Sequence, residues 1–487
     1  MSASLPTTAC KQRTGAEMTP SGARGARATL ASVLVTLLLG GCTGVDMPKL
    51  DAPVPAQWRH PADAGAPPVD LRGWWHALHD PALDALVDTA LNDNLDVAQA
   101  KERLLAARAM TRSADVAYLP RLRAKTEDAI DPDASASFFV AGFDATWELN
   151  LFGRGTATHR QARGQLDGSA ASLQQVRVTL VAEVVRNWLE LRAAQQRETT
   201  LTAIRDDRRR QWGMLRTRAR LQLASTQSVD EAEAALAQAD AALAEPRIAA
   251  DAAAQQLAVL LGRNEPDPAW LTAAPLPALG EQSLTQAPAD LLRSRPDIAR
   301  AEADVLAAAG DAGVARADLY PRIGIGGSLV WSTNLTTHRR TRDNALLSAG
   351  PMIDIPLFDW GAREAELHAR QHELKASVYA YRQAVLQGVA EVETALGQLE
   401  QQRQREARTA DAQRALSRAA QAADVRVRLH LASPTEALDS QLSLAQSSLA
   451  LTDATVARDL AFVSLYKALG GAPLPEPDSD SNTADAP

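Results

Sequence analysis

Phe138-Phe-Val-Ala-Gly-Phe-Asp-Ala-Thr-Trp-Glu-Leu-Asn-Leu151 is the stretch on which the fold turns. Phe139, Ala141, Phe143, Ala145, Trp147, Leu149 and Leu151 fall on one side of a period-two pattern. Gly142, Asp144, Thr146, Glu148 and Asn150 fall on the other, with Val140 the single apolar intruder. Side chains of a strand alternate between faces, so this is a strand with one apolar face. A second such pattern follows much later, where Leu347, Ala349, Pro351, Ile353, Ile355 and Leu357 oppose Ser348, Gly350, Met352, Asp354 and Pro356. Ile323, Ile325, Gly327, Leu329 and Trp331 make a third face, and Pro120 to about Thr126, with three basic residues, a weaker fourth strand. Strands of roughly 9–12 residues with this alternation suit a transmembrane barrel. A half-buried soluble sheet on a helix layer is the other reading. Four strands cannot close a barrel, and open edges cannot sit in lipid, so the barrel reading requires several chains.

These strands recur because the chain is one unit written twice. Asn94-Leu-Asp-Val-Ala-Gln-Ala100 matches Arg295-Pro-Asp-Ile-Ala-Arg-Ala301 at an offset of 201, and Leu151-Phe-Gly-Arg-Gly155 matches Leu357-Phe-Asp-Trp-Gly361 at 206. Arg220-Leu-Gln-Leu-Ala-Ser225 matches Arg428-Leu-His-Leu-Ala-Ser433 at 208, as Leu261-Gly262 matches Leu469-Gly470. A period near 200 far exceeds solenoid repeats, so the unit is a duplicated domain. Each copy reads helix, two strands, a very long helix and a return helix. Residues 82–117 and 288–318 carry alanine and leucine at helical spacing. No proline occurs from Gly153 to about Gln222, or from Gly361 to about Leu431. At 1.5 Å per residue each would extend about 100 Å. Pro246 is expected to kink or break the first return helix.

Of the 487 residues 46% are hydrophobic and 23% charged, which is not the composition of a disordered chain. Aromatics are only 4%, a bias that long alanine-rich helices accommodate. A formal charge of −8 argues against a general nucleic-acid binder, and two cysteines make no disulfide framework. The apolar run Ala28–Gly41 has 14 residues, short of a spanning helix. Arg24 and Arg27 precede that run and Leu39-Gly40-Gly41-Cys42 ends it, the layout of a secretory signal peptide over residues 1–41, with Met18 an alternative start. Leu39-Gly-Gly-Cys42 resembles the bacterial lipobox, which implies a lipid-modified Cys42 carrying diacylglycerol and palmitate; an ordinary signal peptide with an incidental cysteine is the alternative. Thr43 in place of aspartate implies sorting to the outer membrane. The expected organisation is a proline-rich linker over 42–69, a first repeat over 70–270 with strands near 119–130 and 138–152, and a linker over 271–287. A second repeat follows over 288–471 with strands near 320–331 and 345–357, then an acidic tail over 472–487.

No catalytic constellation is present. The sequence has no Gly-x-x-x-x-Gly-Lys, His-Glu-x-x-His or Gly-x-Ser-x-Gly segment, so nothing points to an enzyme. Gly324-Ile-Gly326-Gly327 lies inside a strand, where small residues relieve crowding rather than cradle phosphate. His76 and His79 sit beside Trp74-Trp75 without the acids or cysteines of a metal site, and the tryptophans are expected to pack a linker on the helices. No resident cofactor or metal is expected.

The chain resembles the outer membrane factors of the TolC and OprM kind, and within them the NodT-type efflux lipoproteins. The resemblance is carried by Trp74-Trp75…Asp80-Pro81-Ala-Leu83, Leu292-Arg-Ser-Arg295-Pro296-Asp297-Ile298…Ala301-Glu302, Leu319-Tyr-Pro321-Arg-Ile and Pro356-Leu-Phe-Asp-Trp-Gly361, and spans residues 42 to about 471. It implies a mainly α fold with a membrane β-barrel part. Long antiparallel helices would form a periplasmic α-barrel, and each chain of a homotrimer would give four strands to a twelve-stranded barrel. It implies a passive outer membrane channel of a tripartite efflux system for drugs or other small toxic compounds. The implied partners are a periplasmic adaptor, an inner-membrane transporter of the resistance-nodulation-division class and outer membrane lipids. A pore-less scaffold lipoprotein of coiled helices, and a channel for protein or metal-ion export, are the competing functions. By the same resemblance the periplasmic gate would lie at the helix tips. Leu438-Asp439-Ser-Gln441 matches the Leu-Asp-x-Gln constriction pattern, and Asp230 and Glu231 occupy the comparable place in the first copy. Leu442 stands where OprM-like relatives carry arginine, which puts a salt-bridged lock in doubt.

Overall fold

The structure, a computed structural model, describes residues 45–51, 54–59, 70–129, 138–280, 293–334 and 344–475. Its elements are a 3-10 turn (Trp74–Leu78), α1 (Pro81–Asp93), α2 (Leu95–Asp115), β1 (Arg121–Ala129), β2 (Phe138–Leu149), α3 (Arg154–Arg220), α4 (Thr226–Ala241) and α5 (Ala244–Leu260). The second half contains α6 (Pro296–Ala317), β3 (Arg322–Asn334), β4 (Asn344–Asp354), α7 (Ala362–Arg428) and α8 (Pro434–Ala468). α3 and α7 are each 67 residues. That is about 100 Å of helix apiece.

Two compact units emerge. One comprises Leu119–Thr156 and Arg316–Asp359 and holds all four strands; the other holds nearly all the helical residues. Each unit draws on both repeats.

Local chemistry explains the element ends. Asp80 caps α1, its carboxylate accepting from the amides of Ala82 and Leu83, with Pro81 in the first turn where its missing N–H costs nothing. The helical pattern from residue 82 is not continuous. Asn94 takes an extended conformation, caps α2 through the amides of Asp96 and Val97, and so divides α1 from α2. The break in the first return helix lies at Ala242–Leu243, just ahead of Pro246. A proline ring collides with the carbonyl four residues earlier, here that of Ala242.

The two tip turns are copies of each other. Gln222 and His430 both adopt the left-handed conformation, at φ 60° and 58°. The amide of Leu223 then donates to the Arg218 carbonyl and that of Leu431 to the Arg426 carbonyl, each at 2.8 Å. Ser225 and Ser433 cap the following helices through the amides of Ser228 and Glu436. A non-glycine residue at positive φ costs on the order of 1 kcal/mol or more, a cost carried at both tips.

At the other end of each return helix the repeats solve one problem with different residues. In the first copy the Asn94 side-chain amide donates to the carbonyl of Leu260, at 2.9 Å. In the second, Arg295, the counterpart of Asn94, donates to the carbonyl of Ala468, the counterpart of Leu260. Arg295 also binds Asp297 at 2.6 Å and Glu391 at 2.7 Å, tying α6 to α7. Gly262 and Gly470 follow at φ 69° and 78° and end the two helices as left-handed caps.

The core of the helical unit explains the double tryptophan. Trp74 is fully buried, stacked on Tyr466 with centroids 5.6 Å apart, and its indole N–H donates to the Gly471 carbonyl. Asp80 accepts the Trp188 indole N–H at 2.8 Å as well as capping α1. The expected packing role of Trp74 and Trp75 is what the structure contains. At Gly164 and Gly310 an added Cβ would strike the backbone of Ala307 and Gln161, so α3 and α6 approach with backbones nearly touching.

One core residue is costly. Asp459 is fully buried; Arg458 donates to its Oδ1, while Oδ2 has no hydrogen-bond partner. Arg458 also reaches Glu406 on α7 at 2.7 Å. Burial pushes the Asp459 carboxyl up to about 6, against the attraction of Arg458. Its folded-state value thus lies above the unfolded ~3.9. The folded state therefore binds this proton more tightly. The penalty is full above pH about 6 and is relieved as the pH falls toward the unfolded value. We expect Asp459→Asn to raise stability at pH 7.5 by on the order of 2 kcal/mol and to flatten the pH dependence of unfolding between pH 6 and 4. Thermal unfolding followed by circular dichroism across that range checks this; an Asn variant less stable at pH 7.5 would show that the Arg458 pairing outweighs burial.

Candidate functional site

The four strands form one antiparallel sheet in the order β1-β2-β3-β4, leaving β1 and β4 as open edges. They run 9, 12, 13 and 11 residues, close to the bounds read from the alternation, although β3 continues to Asn334 and β4 ends at Asp354. The Pro356 ring removes an amide just beyond that point, which favours an early end to the ladder.

Register sorts the side chains cleanly. One cross-strand row is Leu122, Ala145, Gly327 and Ala349; another is Ala124, Phe143, Leu329 and Leu347. Trp147, Ile325 and Pro351 make a third row on the same face. Much of this apolar face lies open: Leu122 is 72% exposed, Phe143 52% and Leu347 79%. Contiguous apolar area of that extent is not left facing water. The opposite face holds the rows Arg121-Thr146-Gly326-Gly350, Arg123-Asp144-Ser328-Ser348 and Lys125-Gly142-Val330-Leu346. There Lys125 pairs with Asp144 at 3.1 Å, and the Ser328 and Ser348 hydroxyls bond at 3.0 Å. The basic residues that made β1 the weakest strand by sequence thus all lie on the polar face. Their own period-two spacing, Arg121-Leu-Arg123-Ala-Lys125, is the signal for that placement.

The sheet's helix-proximal end is tied by side chains. Phe152 stacks on Tyr320 with centroids 5.2 Å apart, Asn150 accepts the Gly155 amide, and Asp318 binds both Arg154 and Arg322. Among the described residues no helix is long and apolar enough to cross a membrane.

The tip acids are placed separately. Asp439 is exposed on α8 and accepts a long, 3.4 Å hydrogen bond from Gln211 of α3. Glu231 accepts from Gln227 of its own helix at 2.9 Å, and Asp230 is exposed on α4. No hydrogen bond or ion pair among the described residues joins Asp230 or Glu231 to Asp439 within one chain. Leu442 is buried, 4% exposed, so the position where the resemblance expects arginine is a packing position. Cys42 lies outside the described residues.

Two features escaped the sequence reading. The Arg295 clamp was visible only as a motif, and the buried Asp459 carried no local signal in a helix of ordinary composition. A groove of about 900 Å³ lies beside Arg295, Glu391 and Lys467, but Arg295 spends its donors on Ala468, Asp297 and Glu391. Among the described residues no group of three or more His, Cys, Asp or Glu side chains could hold a metal ion.

The comparisons agree with this geometry. Residues 86–263 and 287–471 match the family of outer membrane efflux proteins. The pyoverdine export outer membrane protein OpmQ of Pseudomonas aeruginosa is 30% identical over 469 residues, covering 91% of this chain and 96% of that protein. Nodulation protein T of Rhizobium leguminosarum bv. viciae is 28% identical, covering 88% and 91%. The solved outer-membrane channel OprN is 28% identical, with a TM-score of 0.76 over 88% of this chain and all of that one. An apolar sheet face with two open edges, twice-written 67-residue helices and these matches lead to one conclusion: the chain belongs to the outer membrane efflux protein family.

Proposed function

We propose that this chain is the outer membrane duct of a tripartite efflux system, working as a homotrimer whose three sheets close into one twelve-stranded barrel. The observation that carries the reading is the open four-stranded sheet with one mainly apolar face. Free strand edges cannot remain unpaired in hydrocarbon, and a barrel is the form in which a sheet loses its edges. β4 of one copy and β1 of the next are the strands that would meet.

The duct is passive. Its energy comes from an inner-membrane transporter, of the resistance-nodulation-division class in this proposal, through a periplasmic adaptor. Cargo is a drug or other small toxic compound, or a secreted small molecule of the kind for which OpmQ is named. Cys42, bearing diacylglycerol and palmitate, anchors the mature N-terminus; several acyl chains at about 0.8 kcal/mol per buried CH₂ hold firmly. Asp439, Asp230 and Glu231 are the proposed gate acids. Three copies of each near the axis would repel one another and favour cations. With Leu442 buried, an arginine lock at that position plays no part.

Detergent-extracted protein is expected to have the mass of three chains and to open discrete channels in a planar bilayer; a folded, non-conducting monomer would return the scaffold reading. Asp230→Ala combined with Asp439→Ala should raise single-channel conductance, and an unaltered conductance removes these acids from the gate. Cys42→Ser should abolish incorporation of labelled palmitate during growth, whereas retained label would place the lipid elsewhere.

A further inference from the structure

The polar face of the sheet is locally basic over the first rows of β1, although Glu127, Glu148 and Asp354 share that face. Over the three cross-strand rows that include Arg121, Arg123 and Lys125, the face holds three cations and one acid, Asp144. Lys125 spends part of its charge on Asp144 at 3.1 Å, and its side chain is still half exposed. Arg123 has no ion pair among the described residues and is exposed. Across the sheet the other positions of these rows are Thr146, Val330, Leu346, glycines and serines, all uncharged. Acids flank these rows on the same face, Glu127 one row beyond Lys125 and Glu148 one row before Arg121. Glu148, one row nearer the helices, lies 3.9 Å from Arg154, and Arg322 binds Asp318 at 2.7 Å.

In a membrane barrel the apolar face turns to lipid and the polar face to the lumen. Long basic side chains on the lipid face would cost several kcal/mol each at mid-membrane, so their confinement to the other face is itself a lumen assignment. We propose that Arg121, Arg123 and Lys125 form an anion-attracting band inside the barrel, so that the duct eases the passage of negatively charged solutes, such as carboxylate-bearing small molecules. This rests on the trimeric barrel of the proposed function, in which three such sets ring the lumen. Rings of arginine and lysine are the arrangement by which pores favour anions. The proposed tip acids are on other elements, so the two sets of charges are separable by mutation.

The test is the reversal potential of single trimers in a planar bilayer under a tenfold KCl gradient. Arg123→Gln combined with Lys125→Gln should lower the chloride-to-potassium permeability ratio at least threefold relative to the native channel. Asp144→Asn, which removes the facing acid, should move the ratio in the opposite direction. Replacing chloride by gluconate should reduce the outward anion current less in the native channel than in the double variant. An unchanged ratio in variants that still conduct overturns the anion band and leaves the duct standing. A native protein that never conducts overturns the duct and the band with it.

Discussion

A backbone amide or carbonyl in hydrocarbon has no water to turn to, and each one left unpaired costs several kcal/mol. That constraint organises the rest of this protein. Its sheet has an apolar face suited to lipid and two open edges of the kind that lipid forbids. Neither helix length nor core packing could substitute, because among the described residues no helix is apolar enough to enter the membrane. Confinement of Arg121, Arg123 and Lys125 to one face follows from the same rule, applied to charge instead of to backbone.

Duplication supplies the rest economically. The tip turn recurs with the same left-handed residue position and the same serine cap, because a long helix must reverse within a few residues and satisfy its terminal carbonyls and amides. The clamp on the return helix recurs in purpose but not in residue. Asn94 needs only to reach the Leu260 carbonyl, whereas Arg295 reaches Ala468 and also binds carboxylates from α6 and α7. Arginine's planar fork makes that triple engagement possible. Backbone geometry is repeated, and side-chain chemistry has diverged where the second copy holds more elements together.

The core carries one charged residue against its own solvation. Asp459 sits among Phe462, Val463 and their neighbours with one oxygen unpartnered, while Arg458 spans from it to Glu406. The arrangement joins α8 to α7 through charge.

Much of this was legible in the residues alone. Period-two alternation in Phe139–Leu149 placed a strand with one apolar face, matching segments at offsets of 201 to 208 exposed the duplication, and proline-free runs marked the long helices. Such features are local or self-referential, so a single sequence suffices to read them. Other features were decided only by tertiary structure. That both repeats give their strands to one sheet, and that β2 of the first pairs with β3 of the second, depends on partners about 190 residues apart in the chain, as in the Phe143–Leu329 pair. The burial of Asp459 and the common target of Asn94 and Arg295 depend likewise on what packs against each helix. Alternation fixes which side of a strand a residue takes; only the pairing of distant strands decides which residues share that side, and so where charge accumulates.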